Sequence, residues 1–417
     1  MPWLSLPFWI GTPLRQMGTW LRSAFIVRAA IAVIIWAFSA TFLQDLLVYG
    51  AFIFALFHVA RGSGAWKQPA GLAFSCVLLY SLLSLPFAMH PGLALRDFSG
   101  ILKLLAGMFA IPVIFYTPRR IQAALFYSAV AIVLVLAGDL LRLAWSLGPE
   151  LLLKAHAFRP FVLNHPNVAS IMAGAAAFIW FYFFWIWRRR WLGVVCLLCI
   201  LICLAYQIIL ASRGPQIAFA VAAVGLGLLL PGWRRKLGWL AIMIVAASII
   251  IPQAQHINPR FAEKESMETF STRDIVWQHT SQLIADRPLF GHGYGKRTFV
   301  KEYYASQPPP SPFHYPHCHQ FWLKLLFEFG WIGLLLHLSA WLILAWQLAQ
   351  HIFRQSSFAA RLLPGTIGLI LLQIHLYGLG DYPDNIVLVA QFWLIPLALM
   401  LMHLGKPKEP LKHEPPS

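Results

Sequence analysis

The sequence predicts an all-α polytopic membrane protein with about 12 transmembrane helices and one large, partly helical loop outside the membrane. The first observation is composition: 59% of the 417 residues are hydrophobic and 11% are charged, whereas soluble domains have about 25% charged residues. The second is that apolar runs of about 17–20 residues recur along the chain, each long enough to cross the hydrocarbon layer. The third is one long polar stretch, residues 253–318.

The apolar runs follow one another along most of the chain. Their approximate bounds are 24–41, 44–60, 70–88, 101–116, 121–141, 166–187, 191–210, 213–230, 237–252, 320–349, 362–380 and 386–403. The run 320–349 is too long for one straight crossing, so we expect part of it to tilt or protrude.

These runs divide the chain into four predicted parts. Residues 1–252 carry transmembrane helices 1–9, and residues 253–318 form a loop with short helices. Residues 319–404 carry transmembrane helices 10–12, and residues 405–417 form a disordered tail. Basic clusters such as Arg188–Arg190 lie in short loops between runs, and the positive-inside rule therefore places both termini and the tail in the cytoplasm.

The net charge of +17 belongs mostly to these inside loops, and no duplex-binding motif accompanies it, so we expect no nucleic-acid partner. A second group of cations lies on the predicted outer side, where the orientation does not require positive charge. It comprises Arg96, Lys103, Arg142, Lys154, Arg159, Arg213 and the basic residues of the loop. Such a group predicts an anionic ligand, for example phosphate or pyrophosphate.

Two arginines of this group stand in informative surroundings. Arg213, in "LASRGPQIAFA", opens a predicted helix after a tight turn, where a helix N-terminus and a guanidinium both favour an anion. The alternative is an arginine that snorkels to lipid headgroups. Arg273 lies one turn before Trp277 on a helix predicted to begin near Ser271 or Thr272, and it is either a ligand or a solvated charge. The following "GHGYG" predicts a bend in the backbone.

Three histidines, His314, His317 and His319, precede the apolar helix that contains Glu328. Their spacing allows zinc, but it matches no closed four-ligand pattern and no Cys pair accompanies it, so we predict no metal and no cofactor. A partly desolvated imidazole can instead act as a general base. Glu328 is about 13 Å further along the helix than His319, so we expect it to fasten the helix to its neighbours.

Polar residues at two other predicted membrane edges are either helix caps and turns or parts of the same cavity. They are Arg159, Asn164, His165 and Asn167 in "RPFVLNHPNVAS", and Asp381 and Asp384 in "GDYPDN".

Taken together, "SRG", "STRDIVW", "RPLFGHGYG" and "HCHQFWLKLLFEFGWIGLL" resemble the O-antigen ligase / O-antigen polymerase superfamily of bacterial inner-membrane glycosyltransferases. The resemblance covers about residues 160–350. Gln320 stands where family members often have Asn, which is a departure from the pattern.

The resemblance implies a GT-C-like glycosyltransferase with a periplasmic active site. It would transfer O-antigen from undecaprenyl pyrophosphate to a sugar hydroxyl of lipid A–core, with inversion and without a metal. His319 would be the general base, and Arg213 and Arg273 would neutralise the pyrophosphate. The expected substrate-binding residues are Arg96, Arg159, Asn164, His165, Trp277, His317 and Asp381.

Three alternatives stay open from the sequence. An O-antigen polymerase would use a lipid-linked glycan as acceptor, and a protein O-oligosaccharyltransferase would use a Ser or Thr hydroxyl. A transporter of lipid-linked glycans would place charges near the middle of the membrane, whereas the candidates here lie at the predicted outer edge.

Overall fold

A computed structural model describes residues 64–147, 160, 165–210, 212–257, 265–306, 314–381 and 384–404. Within these ranges the regular elements are helices, with no strand, so the predicted all-α class is confirmed for this part of the chain. The predicted spans 24–41 and 44–60, the tail, Arg159 and Asn164 lie outside the described residues.

The helices are numbered here in chain order. They are α1 Pro69–Leu83, α2 Pro91–Asp97, α3 Ser99–Ile114, α4 Pro118–Leu147, α5 Pro166–Trp187, α6 Trp191–Leu210, α7 Arg213–Leu229, α8 Trp233–Ile257, α9 Glu265–Asp286, α10 Lys296–Ala305, α11 Phe321–Arg354, α12 Phe358–Gly378 and α13 Asp384–Leu404.

Five of the described helices are long and apolar enough to cross a membrane, namely α4, α5, α6, α11 and α12. Shorter apolar helices are α1, α7 and the Leu394–Leu404 part of α13. The length and composition of these helices indicate a membrane protein, while the number of about 12 crossings stays a prediction.

Helix α12 lies at the centre of the bundle, where it packs against α5, α7, α11 and α13. Small residues allow this close packing, since a Cβ on Gly174 of α5 would lie 2.3 Å from the amide nitrogen of Gln373. That buried amide donates to the carbonyl of Ile171 over 3.4 Å. The C-terminal end of α12 is therefore held firmly beside the N-terminal end of α5.

The predicted long run 320–349 corresponds to α11, which is interrupted at Gly330 (φ 63°, ψ −167°). The segment Pro288–Gly293 binds the interruption through its backbone. His292 N donates to Phe327 O over 2.7 Å, and Trp331 N donates to Pro288 O over 2.8 Å. A Cβ on Gly330 would lie 2.3 Å from the carbonyl of Leu289, so glycine is required there.

Glu328 also connects α11 to the glycine-rich segment, as predicted from its position on the helix. Its side chain is 3% exposed, and its Oε1 accepts a hydrogen bond of 2.9 Å from Gly295 N. Gly291, Gly293 and Gly295 all have positive φ, which confirms the bend predicted for "GHGYG". The glycine-rich segment thus holds the interrupted part of α11 in place through hydrogen bonds of its backbone.

The segment between α8 and α11 has an apolar core of its own, here called the loop core. It consists of Val276, Leu283, Ile284, Phe299, Tyr303, Tyr315, Cys318 and Phe327. Because Tyr315 and Cys318 are buried in it, the residues between and beside them are held at a fixed place near the start of α11. Helix α9 begins at Glu265, earlier than the predicted cap at Ser271 or Thr272, since good helix formers such as Glu and Met precede that point.

Candidate active site

Asp381 is the centre of a polar cluster beyond the C-terminal end of α12. Its side chain is 6% exposed, and Oδ2 accepts hydrogen bonds from Tyr377 Oη (2.7 Å) and Asn167 Nδ2 (2.9 Å). Arg273 Nη2 donates to the same oxygen over 3.2 Å. The other oxygen, Oδ1, lies 2.9 Å from Nδ1 of His319. Four separate segments of the chain therefore meet at one carboxylate.

The carboxylate of Asp381 is ionised. Burial alone would raise its pKa, but the imidazoles of His317 and His319 and the guanidinium of Arg273 outweigh burial and hold the pKa well below its usual range. An ionised carboxylate only accepts hydrogen bonds. The hydrogen between the two atoms therefore lies on Nδ1 of His319, and in a neutral imidazole of this tautomer Nε2 has the free electron pair.

His319 has an unusual backbone. Its φ is 53°, and among the described residues it is the one non-glycine residue with positive φ. Such a conformation costs on the order of 1–2 kcal/mol, which the hydrogen bond to Asp381 helps to offset. The ring of Tyr315 packs edge-on against the imidazole, with ring centroids 6.0 Å apart. The loop thus holds the imidazole in one orientation.

The three histidines of the loop divide into two groups. His317 joins the cluster, because its ring centroid lies 4.2 Å from that of His319 and its Nε2 lies 3.9 Å from Asp381 Oδ1. His314 does not join it, because its exposed ring stacks on Tyr304 with centroids 4.9 Å apart. Of these two, the sequence analysis named only His317 as an expected substrate-binding residue, and that role stays a prediction.

Arg273 and Trp277 differ in their surroundings although both lie on α9. Arg273 Nη1 donates to Gly380 O over 2.8 Å, so the guanidinium bridges two positions of the turn after α12. Trp277 instead packs against the loop core. A role of Trp277 in substrate binding stays a prediction.

Arg213 is the first residue of α7, as predicted, and its side chain is partly exposed. The preceding residue, Ser212, donates a short hydrogen bond from Oγ to Oδ1 of Asn167. Since Asn167 Nδ2 binds Asp381, one amide side chain connects the start of α7 to the carboxylate. The N-terminal ends of α5 and α7 therefore lie beside the cluster.

Other predicted site residues have different positions. His165 is the N-cap of α5, and its Nδ1 accepts a hydrogen bond from Asn167 N over 3.3 Å, so it shapes the helix start that carries Asn167. Arg96 is exposed on α2, where the next residue, Asp97, pairs with Arg297 of α10. No described contact joins Arg96 to Asp381.

Two residues of the cluster were not recognised as site residues from the sequence. Asn167 was named in a polar helix entry that either caps the helix or lines the same cavity, but not among the expected site residues, and Tyr377 was not named at all. The available signal for Tyr377 was its spacing, since a residue four positions before Asp381 on the last turn of a helix can reach back to it.

The fold and the cluster together define a helical membrane protein with an ionised carboxylate, two imidazoles and a guanidinium gathered at the ends of apolar helices. Residues 198–338 match the family model described as O-antigen ligase. The match spans about a third of the chain and supports the resemblance seen in the motifs. The matched residues include Arg213, Arg273 and His319, whereas Asn167 and Asp381 lie outside the match. No curated protein matches the chain.

Proposed function

We propose that the protein is an O-antigen ligase. It transfers O-antigen polysaccharide from undecaprenyl pyrophosphate to a sugar hydroxyl of lipid A–core, by an inverting reaction that requires no metal. The observation that carries this proposal is the 2.9 Å contact between His319 Nδ1 and Asp381 Oδ1, beside Arg273 on the same carboxylate. The family match supports ligase or polymerase-type glycosyl transfer in general.

In this proposal His319 is the general base. Its Nδ1–H donates to Asp381, so Nε2 accepts the proton of the acceptor hydroxyl as that oxygen attacks the anomeric carbon. The imidazolium that forms is stabilised by the ionised carboxylate 2.9 Å away. General-base assistance of this kind contributes on the order of 10²–10⁴ in rate.

The leaving group is undecaprenyl pyrophosphate. As the new bond from the acceptor oxygen forms, the bond from the anomeric carbon to the phosphate oxygen breaks, and negative charge grows on the pyrophosphate. The guanidinium of Arg273 has five N–H groups, two of which make the described bonds to Gly380 and Asp381. Its other N–H groups, together with Arg213 at the start of α7, stabilise this charge.

The nature of the substrates explains the position of the cluster. It lies where α12 ends and where α5, α7 and α11 begin, so a donor anchored in the bilayer reaches it from the side. In the proposed topology this end of the bundle faces the periplasm, both termini are cytoplasmic and the chain resides in the bacterial inner membrane. The partners are the lipid-linked O-antigen, lipid A–core and membrane lipids, with no cofactor.

A gel of lipopolysaccharide from cells that lack the protein tests this function. Complementation with the wild type should restore the O-antigen ladder, and His319→Ala should leave bare core while long glycan accumulates on the undecaprenyl carrier. His314→Ala is the matched control, since this histidine lies in the same loop and contacts Tyr304 instead of Asp381. Core capped by a single repeat in the deletion strain would indicate a polymerase, and a ladder restored by His319→Ala would refute the proposed base.

A further inference from the structure

Three donor atoms face one another in the cluster, and their arrangement suits a divalent cation. The atoms are His317 Nε2, His319 Nδ1 and Asp381 Oδ1, and all lie within 4.8 Å of one another. Nδ1 of His319 is 2.9 Å and Nε2 of His317 is 3.9 Å from the carboxylate oxygen. Ligands bound to zinc at about 2.0–2.2 Å are separated by roughly 3.0–3.5 Å, so these distances bracket the required spacing.

The surroundings of the three donors resemble those of metal ligands. The second oxygen of Asp381 is held by Asn167, Tyr377 and Arg273, as outer hydrogen bonds hold ligating carboxylates. The left-handed backbone of His319 fixes its ring beside that of His317. Two imidazoles and one carboxylate leave a coordination position open for water, as in three-ligand zinc sites.

We propose that His317, His319 and Asp381 form a binding site for Zn²⁺ or a similar divalent transition-metal ion, and that binding inhibits the transferase. The inhibitory part rests on the proposed function, whereas the binding part does not.

The inhibition follows from the two tautomers of a neutral imidazole, which carry the ring proton on Nδ1 or on Nε2. When Nδ1 of His319 donates to Asp381, its proton lies on Nδ1 and Nε2 can accept the proton of a hydroxyl. A metal at Nδ1 requires the electron pair there, so the single ring proton moves to Nε2 through solvent. Nε2 then carries a hydrogen and cannot act as a base. The cation thus changes which nitrogen is protonated, without a change in the number of protons on the ring.

Binding is tested with Co²⁺ alone, followed by visible absorption, on the full-length chain purified in detergent through a tag that contains no histidine. We expect saturable binding of a single equivalent, and displacement by Zn²⁺. His317→Ala should weaken Co²⁺ binding by more than about tenfold, because even loss of an outer hydrogen bond costs 10–100-fold. His314→Ala should retain it. An absence of saturable binding, or equal binding in both variants, would overturn the site.

Inhibition is tested separately by initial rates of transfer in zinc-free buffer and with added Zn²⁺. The wild type and His314→Ala should both lose activity with Zn²⁺ and recover it with a chelator. Whatever the rate of His317→Ala in zinc-free buffer, the ratio of its rates with and without Zn²⁺ should approach one. Co²⁺ binding without inhibition would confirm the site and overturn the proposed effect on His319. Absence of transfer in zinc-free wild type would instead refute the proposed function and leave the binding result intact.

Discussion

The Nδ1 of His319 lies 2.9 Å from Oδ1 of Asp381, although 62 residues separate them in the chain. One residue stands in the loop before α11, and the other follows α12. The contact joins the imidazole of a residue with a left-handed backbone to a buried carboxylate whose pKa lies well below its usual range. It fixes which nitrogen of the ring is protonated, and so determines whether the ring can accept a proton from a hydroxyl.

Replacement of Asp381 should therefore slow the chemical step. In Asp381→Asn the side chain keeps its size, but it loses the charge that stabilises an imidazolium at His319. We expect kcat to fall by about 10²-fold or more, measured by transfer in reconstituted membranes. Asp274→Asn is the control, because Asp274 is exposed on the same helix as Arg273. A normal kcat in Asp381→Asn would exclude the carboxylate from catalysis.

Arginine should be required at position 273 because one guanidinium bonds to both Gly380 O and Asp381 Oδ2. A lysine keeps the charge but lacks the planar fork. We expect Arg273→Lys to lower kcat/KM for the lipid-linked donor about tenfold or more, and Arg273→Ala to lower it further. Equal activity of the lysine variant and the wild type would show that charge alone is needed.

Gly330→Ala should destabilise the protein. The residue has a φ of 63°, and an added Cβ would lie 2.3 Å from Leu289. We expect a loss of more than about 1 kcal/mol in the free energy of unfolding, measured by thermal unfolding in detergent. Gly238→Ala in α8 is the matched control, since a Cβ there meets nothing within 4 Å. If both variants unfolded at the wild-type temperature, the interruption of α11 would not depend on glycine.

Because Gly295 N donates a hydrogen bond to Glu328, substitutions of this buried glutamate should destabilise the protein to different degrees. Glu328→Ala leaves the amide without its acceptor and should cost about 1–3 kcal/mol. Glu328→Gln retains an acceptor oxygen and should cost less, although it loses the charge near Lys324. Urea-dependent proteolysis of the segment around Gly295 measures the difference. A glutamine variant as labile as the alanine variant would mean that the charge matters more than the hydrogen bond.

The sequence predicted much of this site because charged residues and histidines at a membrane edge seldom serve a structural role alone. Arg213 and Arg273 were outer cations without a topological role, and His319 preceded an apolar helix. Asp381 was only one of several polar turn residues, since its importance depends on contacts with His319, Arg273 and Asn167 from distant segments. Spacing along the chain does not reveal such convergence.

In the fold as well, most features that depend on neighbouring residues were predicted, and features that depend on distant contacts were not. Helix type follows from hydropathy, and the length of run 320–349 led to the prediction that part of it tilts or protrudes, whereas the structure shows an interruption that was not predicted. The place of the interruption, Gly330, depends on the backbone of Pro288–Gly293, which binds it from elsewhere in the chain. The early start of α9 at Glu265 was missed because capping residues were given more weight than helix propensity.

The most direct test of the account measures transfer by the purified, reconstituted protein from lipid-linked O-antigen to lipid A–core, with His319→Ala compared with wild type and His314→Ala. The account predicts that wild type and His314→Ala transfer the glycan and release undecaprenyl pyrophosphate, whereas His319→Ala still binds the donor but loses transfer by about 10²-fold or more. Transfer by His319→Ala at the wild-type rate would contradict it.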